Sequence, residues 1–182
     1  MPAAKITLAE IAPHAVAIER RSGLPAVVLI AQWAIESGWG AKQSGRWNFF
    51  GITKASRHAK WAMVPTREVL TAEQINALPA DEAATVTRRH ARPDGRFDVW
   101  LSRKFAAYDT LDEGLEDYAR LLTTAAPYAK AWAAYRLDSN LDSLVDAIAK
   151  RYATDPRYAE LVKRIARQTN VLQAVEKARQ TH

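Results

Sequence analysis

The sequence predicts a mainly helical α+β domain in which a small β lobe, over about residues 60–108, is inserted between helices. Helix capping signals and apolar residues at helical spacing occupy the chain before Gly40 and after Thr110. Strand-like stretches around a strong turn signal lie between them. The 182 residues contain no internal repeat, low-complexity segment or linker, so we expect a single domain over residues 1–182.

Two helices are predicted at the N-terminal end. Thr7 and Glu10 have the spacing of a capping box, and the helix that they begin is expected to end at Gly23. A second helix opens with Pro25 near its first position, where proline is favoured. Because the stretch from Ala26 to Ile35 is almost wholly apolar, the second helix should be buried on nearly all sides.

The middle of the chain predicts the β lobe. Strand-like residues run from Trp61 to Leu70, and Thr71 to Leu78 follow as a short capped helix. Apolar and polar residues then alternate over Thr85–Arg92 and Arg96–Leu101, on either side of the turn signal Pro93-Asp94-Gly95. This pattern indicates short strands with an insertion between them.

The last third of the chain is predicted to be helical again. A capping box begins at Thr110, Pro127 separates the next helix, and apolar residues at helical spacing mark another over Leu141–Ile148. Asp155-Pro156 is typical of an N-cap followed by a first-turn proline, and it predicts one more helix. From Asn170 to the end we expect a polar, loosely attached helical tail.

Composition and charge narrow the classes of function. The formal net charge of +6 and a pI near 9.7 favour a polyanionic partner, either nucleic acid or an anionic cell wall. The absence of cysteine excludes a disulfide framework, a thiol nucleophile and a cysteine-based zinc site. The four histidines, none of them at the i, i+4 spacing of a metal-binding helix, are His14, His58, His90 and His182.

The N-terminal stretch does not resemble a secretory signal, because Met1 to Arg21 contains no uninterrupted apolar run after a basic start. No later stretch is long and apolar enough to span a membrane. If the substrate lies outside the membrane, we therefore expect delivery by phage lysis or by a non-classical secretion route.

Glu36 is isolated within the second predicted helix. It is the only ionisable side chain between Arg21 and Lys42, and it shares one helix face with Gln32. Burial among apolar groups and the negative end of the helix dipole both disfavour the ionised form, so the pKa of Glu36 should be raised. Such a carboxyl group suits general acid catalysis near neutral pH. The isolation alone equally allows a glutamate that emerges into solvent at the helix end.

Five segments together carry a resemblance to a known family. Two are specific: Ala31–Gly40 has the pattern A-x-x-x-E-S-x-W-G, and Tyr152–Tyr158 has Y-A-T-D-P-x-Y. The shorter ones are Asn48–Ile52, Pro65–Val69 and Lys104–Asp109. With these segments the chain resembles glycoside hydrolase family 73, the glucosaminidases of flagellar rod-penetrating enzymes and bacterial autolysins. The resemblance implies a lysozyme-like fold.

The resemblance implies a peptidoglycan hydrolase that cleaves the β-1,4 bond after N-acetylglucosamine in the wall glycan. Glu36 would protonate the leaving oxygen, and Glu68 on the β lobe would activate water or stabilise the oxocarbenium-like charge. Tyr152 would orient substrate or water with its hydroxyl group, although it would also suit a core position. No metal or organic cofactor is required by this chemistry, so we expect none.

Two departures from the family pattern concern the second carboxylate. Ala106 stands where the family usually has arginine, and the segment Thr71–Gly95 is longer than the usual hairpin turn. An insertion that shifts the lobe would bring other carboxylates into consideration. These competitors of Glu68 are Glu73, Glu82 and Asp98.

Sugar binding requires flat apolar rings with polar groups at their edges, and such residues cluster in or beside the matched segments. Trp47 and Trp61 are the candidates for stacking on sugar rings, with Phe49 and Tyr108 as further candidate contacts. Asn48 is expected either to hydrogen-bond an acetamido group or to hold its loop.

Four other functions compete with the glucosaminidase. A muramidase would cut the other glycan bond on the same fold, whereas the segment Asn48–Gly51 argues against a lytic transglycosylase. A wall-binding module without activity would be expected to lack the acid at Glu36, which is present. A nucleic-acid binder would concentrate its cations on one element, but here they are spread along the chain. We therefore expect peptidoglycan glycan strands as partner, no nucleic acid, and a monomer.

A basic stretch in the insertion has two interpretations. It comprises Arg88, Arg89, His90, Arg92 and Arg96. Its cations either attract anions of the wall or form a solvated strand face.

Overall fold

The computed structural model of the chain describes residues 5–153 and 155–181. Thr154, part of the last matched segment, lies outside the described residues. Along the described chain the helices and strands follow the order α1 Leu8–Ser22, α2 Ala26–Ser37, β1 Trp61–Leu70, α3 Ala72–Asn76, α4 Ala80–Ala83, β2 Arg88–Ala91, β3 Phe97–Ala106, α5 Leu111–Thr124, α6 Ala126–Asp138, α7 Leu141–Tyr152, α8 Tyr158–Ala166 and α9 Thr169–Gln180. A mainly helical domain with a small inserted β lobe is therefore confirmed.

The first two helices form as their capping signals predict. Thr7 Oγ1 accepts a hydrogen bond from the backbone N–H of Glu10, whose carboxylate accepts one from the backbone N–H of Thr7. α1 ends at Gly23, which adopts the left-handed backbone conformation that glycine favours at helix ends. α2 follows Pro25 and is buried along most of its length, because α1, α8 and α9 pack around it.

One hydrophobic core joins the helices, and a separate small core lies within the β lobe. Burial of large side chains such as Trp33 on α2, Leu115 and Tyr118 on α5, and Leu144 on α7 fills the helical core. Each fully buried aliphatic side chain contributes about 1.5–3 kcal/mol relative to an exposed one. The helical part is therefore a stable base from which the lobe projects.

The β lobe is a three-stranded antiparallel sheet with the order β1-β3-β2. β1 pairs with β3 from Trp61 opposite Ala106 to Leu70 opposite Phe97, and β2 pairs with the far end of β3. The small core of the lobe lies on one face of this sheet, where the insertion covers it. Its members are Leu70, Val99 and Leu101, with Ile75, Leu78, Val86 and Phe97 packed against them.

The lobe differs from the predicted one in two respects. β3 continues past Leu101 to Ala106, because β1 supplies a hydrogen-bonding partner along its whole length. The insertion contains the additional four-residue helix α4, which is too short to show a periodic pattern in the sequence. The short helix predicted after Thr71 is confirmed, with its capping box.

Two capping predictions in the last third of the chain were wrong in detail. Asp155 does not cap α8, which begins at Tyr158; its carboxylate instead accepts the backbone N–H of Arg157 at 2.9 Å. Thr110 does accept the backbone N–H of Glu113, but the carboxylate of Glu113 accepts from Asp109 instead of from Thr110. In both places a local turn before the helix supplies a competing hydrogen bond.

The C-terminal helix is not loosely attached, contrary to the prediction. α9 buries Val171, Val175 and Ala178 against the rest of the helical core, with α1 as its main neighbour. Its last turn also donates a 2.8 Å hydrogen bond from Arg179 to the carboxylate of Glu19. Within the described part of the chain, no helix combines the length and apolar character needed to cross a membrane.

Candidate active site

The carboxyl group of Glu36 lies half-buried in the last turn of α2. The hydroxyl group of Tyr158, the first residue of α8, donates a 2.7 Å hydrogen bond to Oε1 of Glu36. Gln32 lies one turn earlier on α2, fully buried, and its Nε2 donates to the Tyr158 hydroxyl at 3.4 Å. A chain of polar groups therefore leads from the helix interior to the carboxyl group.

Burial raises the pKa of Glu36, because the ionised carboxylate loses hydration. The hydrogen bond from Tyr158 acts in the opposite direction, since it stabilises the ionised form. The net direction is upward, as the sequence predicts. Glu36 thus keeps its proton to higher pH than an exposed glutamate, which is the state that a general acid needs.

The residues after Glu36 explain why the helix ends there. Ser37 Oγ donates to the carbonyl oxygen of Trp33 and accepts the backbone N–H of Gly40. Gly38 caps α2 in the left-handed conformation. At Gly40 a side chain is excluded, because a Cβ atom would lie 2.3 Å from the carbonyl oxygen of Ile6. The motif after Glu36 therefore fixes the helix end against the N-terminal segment.

Three tyrosines and one phenylalanine form a cluster behind Glu36. Phe50 stacks on Tyr118 with ring centroids 3.7 Å apart, and the ring of Tyr152 lies between those of Tyr118 and Tyr158 at about 6 Å from each. Burial raises the pKa of both Tyr152 and Tyr158, so both remain hydrogen-bond donors. The Tyr152 hydroxyl donates to the carbonyl oxygen of Phe50, and the partner of Glu36 is Tyr158.

Asn48 holds the loop between α2 and β1. Its Nδ2 donates to the carbonyl oxygens of Ile52 at 2.8 Å and Ala106 at 2.9 Å, and its Oδ1 accepts the backbone N–H of Ile52. The side chain is only 1% exposed. Both N–H donors are therefore used by the backbone, and of the two roles expected for Asn48 the structure supports the loop-holding one.

The four aromatic candidates for sugar contact divide into two buried and two accessible residues. Phe49 is 2% exposed and packs edge-on against Trp33, and Tyr108 is 8% exposed. Neither ring offers a face to a ligand, so the expectation of direct sugar contact does not fit the structure at these two residues. Trp47 is half-buried, and Trp61 is 45% exposed at the start of β1.

Glu68 lies on β1 opposite Val99, with its side chain half-buried. Its only hydrogen bond to another side chain in the described residues comes from Thr66 Oγ1, at 3.3 Å. The strand places Glu68 about 23 Å from Trp61, which lies where β1 leaves the helical part. An odd separation of seven residues puts the two on opposite faces of the sheet.

The three competing carboxylates have other environments. Glu82 is buried and pairs with Arg103, and Asp98 is buried and pairs with Arg67 and another arginine. Both therefore anchor the lobe. Glu73 is exposed in the first turn of α3. Among the described carboxylates considered for this role, Glu68 alone is half-buried without a cationic partner.

Asp117 on α5 is a central residue that the sequence does not reveal. Its carboxylate accepts two hydrogen bonds from Arg57, one from His58 at 2.9 Å, one from Tyr108 at 2.7 Å, and one from Arg120. Burial alone would raise the pKa of Asp117, but these donors together hold it well below its usual range. One carboxylate thus fastens both segments that connect the β lobe to the helical part.

Metal ligation finds no support in residues 5–153 and 155–181, where no group of three or more acidic or histidine side chains is arranged to hold an ion. The geometry provides a half-buried carboxyl group with a raised pKa at the end of a buried helix, beside an inserted β lobe. A carboxyl group kept from ionising by burial is the general acid of lysozyme-like glycoside hydrolases.

Within that class, the chain belongs to the glucosaminidase family. The sequence model of the family, described as mannosyl-glycoprotein endo-beta-N-acetylglucosaminidase, matches residues 12–171. The resemblance to glycoside hydrolase family 73 is therefore confirmed.

Curated relatives include proteins named for two activities. Peptidoglycan hydrolase FlgJ of Escherichia coli (strain K12) is 33% identical over 170 residues, which cover 90% of this chain and 46% of the relative. The probable N-acetylmuramidase of Lactococcus lactis subsp. cremoris is 28% identical over 177 residues, covering 92% of this chain and 34% of the relative. The chain thus spans less than half the length of the curated relatives that it matches.

Solved structures confirm the fold. The glycoside hydrolase domain from Salmonella typhimurium FlgJ is 26% identical, with a TM-score of 0.57 and coverage of 96% of this chain and 91% of that one. The catalytic domain of the autolysin Auto from Listeria monocytogenes has a TM-score of 0.64 at 23% identity, covering 94% and 90%. At that identity the second likeness shows the fold alone.

The Tyr158→Phe variant tests the origin of the Glu36 pKa. Because the lost hydroxyl group stabilises the ionised form, the pKa of Glu36 should rise above its value in the wild type. The carboxyl ¹³C chemical shift of Glu36, followed by NMR against pH, measures it. Tyr152→Phe is the matched control, because its hydroxyl group contacts Phe50 instead. An equal pKa in both variants would contradict the assignment of Tyr158.

Proposed function

We propose that the chain hydrolyses the β-1,4 bond after N-acetylglucosamine in peptidoglycan, with Glu36 as general acid. The observation that carries the proposal is the half-buried Glu36 carboxyl group, whose pKa is raised and whose only side-chain partner in the described residues is Tyr158. Family membership and the relatives named peptidoglycan hydrolase support the substrate class. By the same argument we propose the bacterial cell wall as the place of action.

The acid step follows from the environment of Glu36. The protonated carboxyl group gives its proton to the glycosidic oxygen as the bond to the anomeric carbon breaks, which avoids a poor alkoxide leaving group. The carboxylate that results is stabilised by the hydroxyl group of Tyr158, which donates to it without a change of position. Tyr158 therefore lowers the cost of the charge that forms on Glu36.

We propose Glu68 as the second carboxylate. It has no cationic partner among the described residues, so its negative charge is available to the oxocarbenium-like transition state or to a water molecule. The lobe carries it away from the helical part, and Asp117 fastens the two connections of that lobe. The position of the lobe thus sets how closely Glu68 can approach the bond held at Glu36.

The remaining candidates are assigned by their exposure. Trp47 and Trp61 retain accessible ring surface and are proposed as sugar contacts. Tyr152 is proposed to act through its contacts, since it fixes the carbonyl oxygen of Phe50 and packs against Tyr158. The residues proposed to support the site from buried positions are Asn48, Phe49 and Tyr108.

A muramidase is the second candidate, because two Lactococcus lactis relatives are named probable N-acetylmuramidase. The same acid would serve either cut, since both bonds are β-1,4 glycosidic bonds of one glycan chain. The residue that carries the new reducing end distinguishes the two activities.

The Glu36→Gln variant tests the acid. Loss of the proton donor should lower hydrolysis of purified peptidoglycan about 10²-fold or more. Release of soluble fragments gives the rate, and mass spectrometry identifies the reducing ends, which we expect to be N-acetylglucosamine. Glu176→Gln, an exposed substitution of the same chemistry on α9, is the control and should retain wild-type activity.

Wild-type activity in Glu36→Gln would remove this residue from the mechanism. Reducing ends on N-acetylmuramic acid, with activity still dependent on Glu36, would convert the enzyme to a muramidase. Binding to peptidoglycan with no cleavage by either the wild type or the control would support a non-catalytic wall-binding module.

The Glu68→Gln variant tests the second carboxylate. Removing its charge should lower the rate about 10²-fold, because base or electrostatic assistance is lost. Glu73→Gln is the matched control on the same lobe and should stay within a few-fold of the wild type. If Glu68→Gln also stays within a few-fold while Glu73→Gln does not, the roles of the two residues are reversed.

A further inference from the structure

The face of the sheet opposite to Glu68 carries interleaved cations and aromatic rings; we call it the basic face. Arg67 on β1 and Arg88 on β2 both lie opposite Trp100 on the central strand β3. Their guanidinium carbons lie 5.4 Å and 4.9 Å from the centre of the Trp100 ring. Because one arginine comes from each neighbouring strand, the indole ring is flanked by guanidinium groups on both sides.

The basic face is accessible along its length. The opposite face of the sheet carries Glu68 and the small core of the lobe. Side chains at odd positions of β1 point to the basic face. On that face the Arg67 side chain is 54% exposed, and Met63 and Val69 are exposed as well. Arg88 is also exposed. Near the start of β1 the amino group of Lys104 lies 4.9 Å from the ring of Trp61.

Positive charge exceeds negative charge on this face. Four cations, Arg67, Arg88, Arg92 and Lys104, stand against three carboxylates, Asp81, Asp94 and Asp98. Asp98 is buried beneath two of the arginines and does not reach the surface. Arg88 has no ion pair with any described residue. The outward edges of the guanidinium groups are therefore available to an anion.

The chemistry of the face defines what it binds. Guanidinium groups held against an aromatic ring lose little further freedom when their N–H forks meet phosphate or carboxylate oxygens. Cations that recur across all three strands match an anion that repeats along a chain. Both arginines already engage the half-buried ring of Trp100, which leaves less of that ring for stacking a nucleic-acid base.

We propose that the basic face binds a phosphodiester-linked anionic polymer of the bacterial cell wall. The bound polymer holds the protein on the wall through the part of this face around Arg67, Arg88 and Trp100, away from Trp61 at the base of the lobe, while Glu68 lies on the opposite face. The assignment of the polymer to the cell wall rests on the proposed function, but binding of the polymer requires no cleavage of glycan. A failure of the binding proposal is therefore distinguishable from a failure of the proposed hydrolysis.

Binding is measured by cosedimentation with purified cell walls that carry phosphodiester polymers. Removing two charges in the Arg67→Gln, Arg88→Gln variant should weaken binding about tenfold or more and reduce its salt dependence. The Arg20→Gln, Arg136→Gln variant loses the same charge from exposed arginines on α1 and α6 and should bind like the wild type. Equal weakening in both variants would overturn the proposal, because net charge alone would explain it.

Two further binding measurements identify the source of the anion. Cell walls stripped of phosphodiester polymers by hydrofluoric acid should lose the binding, and undiminished binding to them would show that stem-peptide carboxylates or glycan suffice. Single-stranded DNA should bind more weakly than intact wall, and tighter binding to DNA would overturn the assignment to a wall polymer. Arg88→Gln alone serves if the double variant fails to fold, because Arg88 supports no ion pair in the described chain.

Discussion

The contact between the Glu36 carboxyl group and the Tyr158 hydroxyl group joins the end of α2 to the start of α8 at the proposed general acid. It requires α2 to be buried deeply enough to disfavour a charge at its end, and α8 to begin beside that end. Burial disfavours the ionised form of Glu36, and the hydrogen bond from Tyr158 stabilises that form. The two opposing effects suit a group that must lose its proton in the transition state and regain it afterwards.

Several residues without chemistry of their own keep this contact in place. Gly40 allows the chain after the helix to approach the backbone of Ile6, and Asn48 ties the next loop to the last residue of β3. Asp117 fastens the connections of the lobe to α5. These contacts hold the chain that follows Glu36, and Asp117 holds the base of the lobe that carries Glu68, the proposed second carboxylate.

Local signals in the sequence were sufficient to predict most helices, the lobe and the direction of the Glu36 pKa. Capping boxes at Thr7 and Thr71 depend on residues three positions apart, so they are readable without the fold. The partner of Glu36 is 122 residues away, and nothing local distinguishes Tyr158 from Tyr152. Asp117 was missed for the same reason, because its partners Arg57 and His58 are 60 and 59 residues away. The packing of α9 was missed because its polar composition concealed a narrow buried stripe.

The role of Glu36 as general acid is tested most directly by comparing the pH dependence of catalysis with the titration of Glu36 in the wild-type protein. The pH dependence of kcat/KM on soluble glycan fragments reports the pKa of the essential acid in the free enzyme through its alkaline limb. We expect this limb to coincide with the NMR titration of the Glu36 carboxyl group, above the ordinary range of glutamate. An alkaline limb at a pH where Glu36 does not titrate would contradict it.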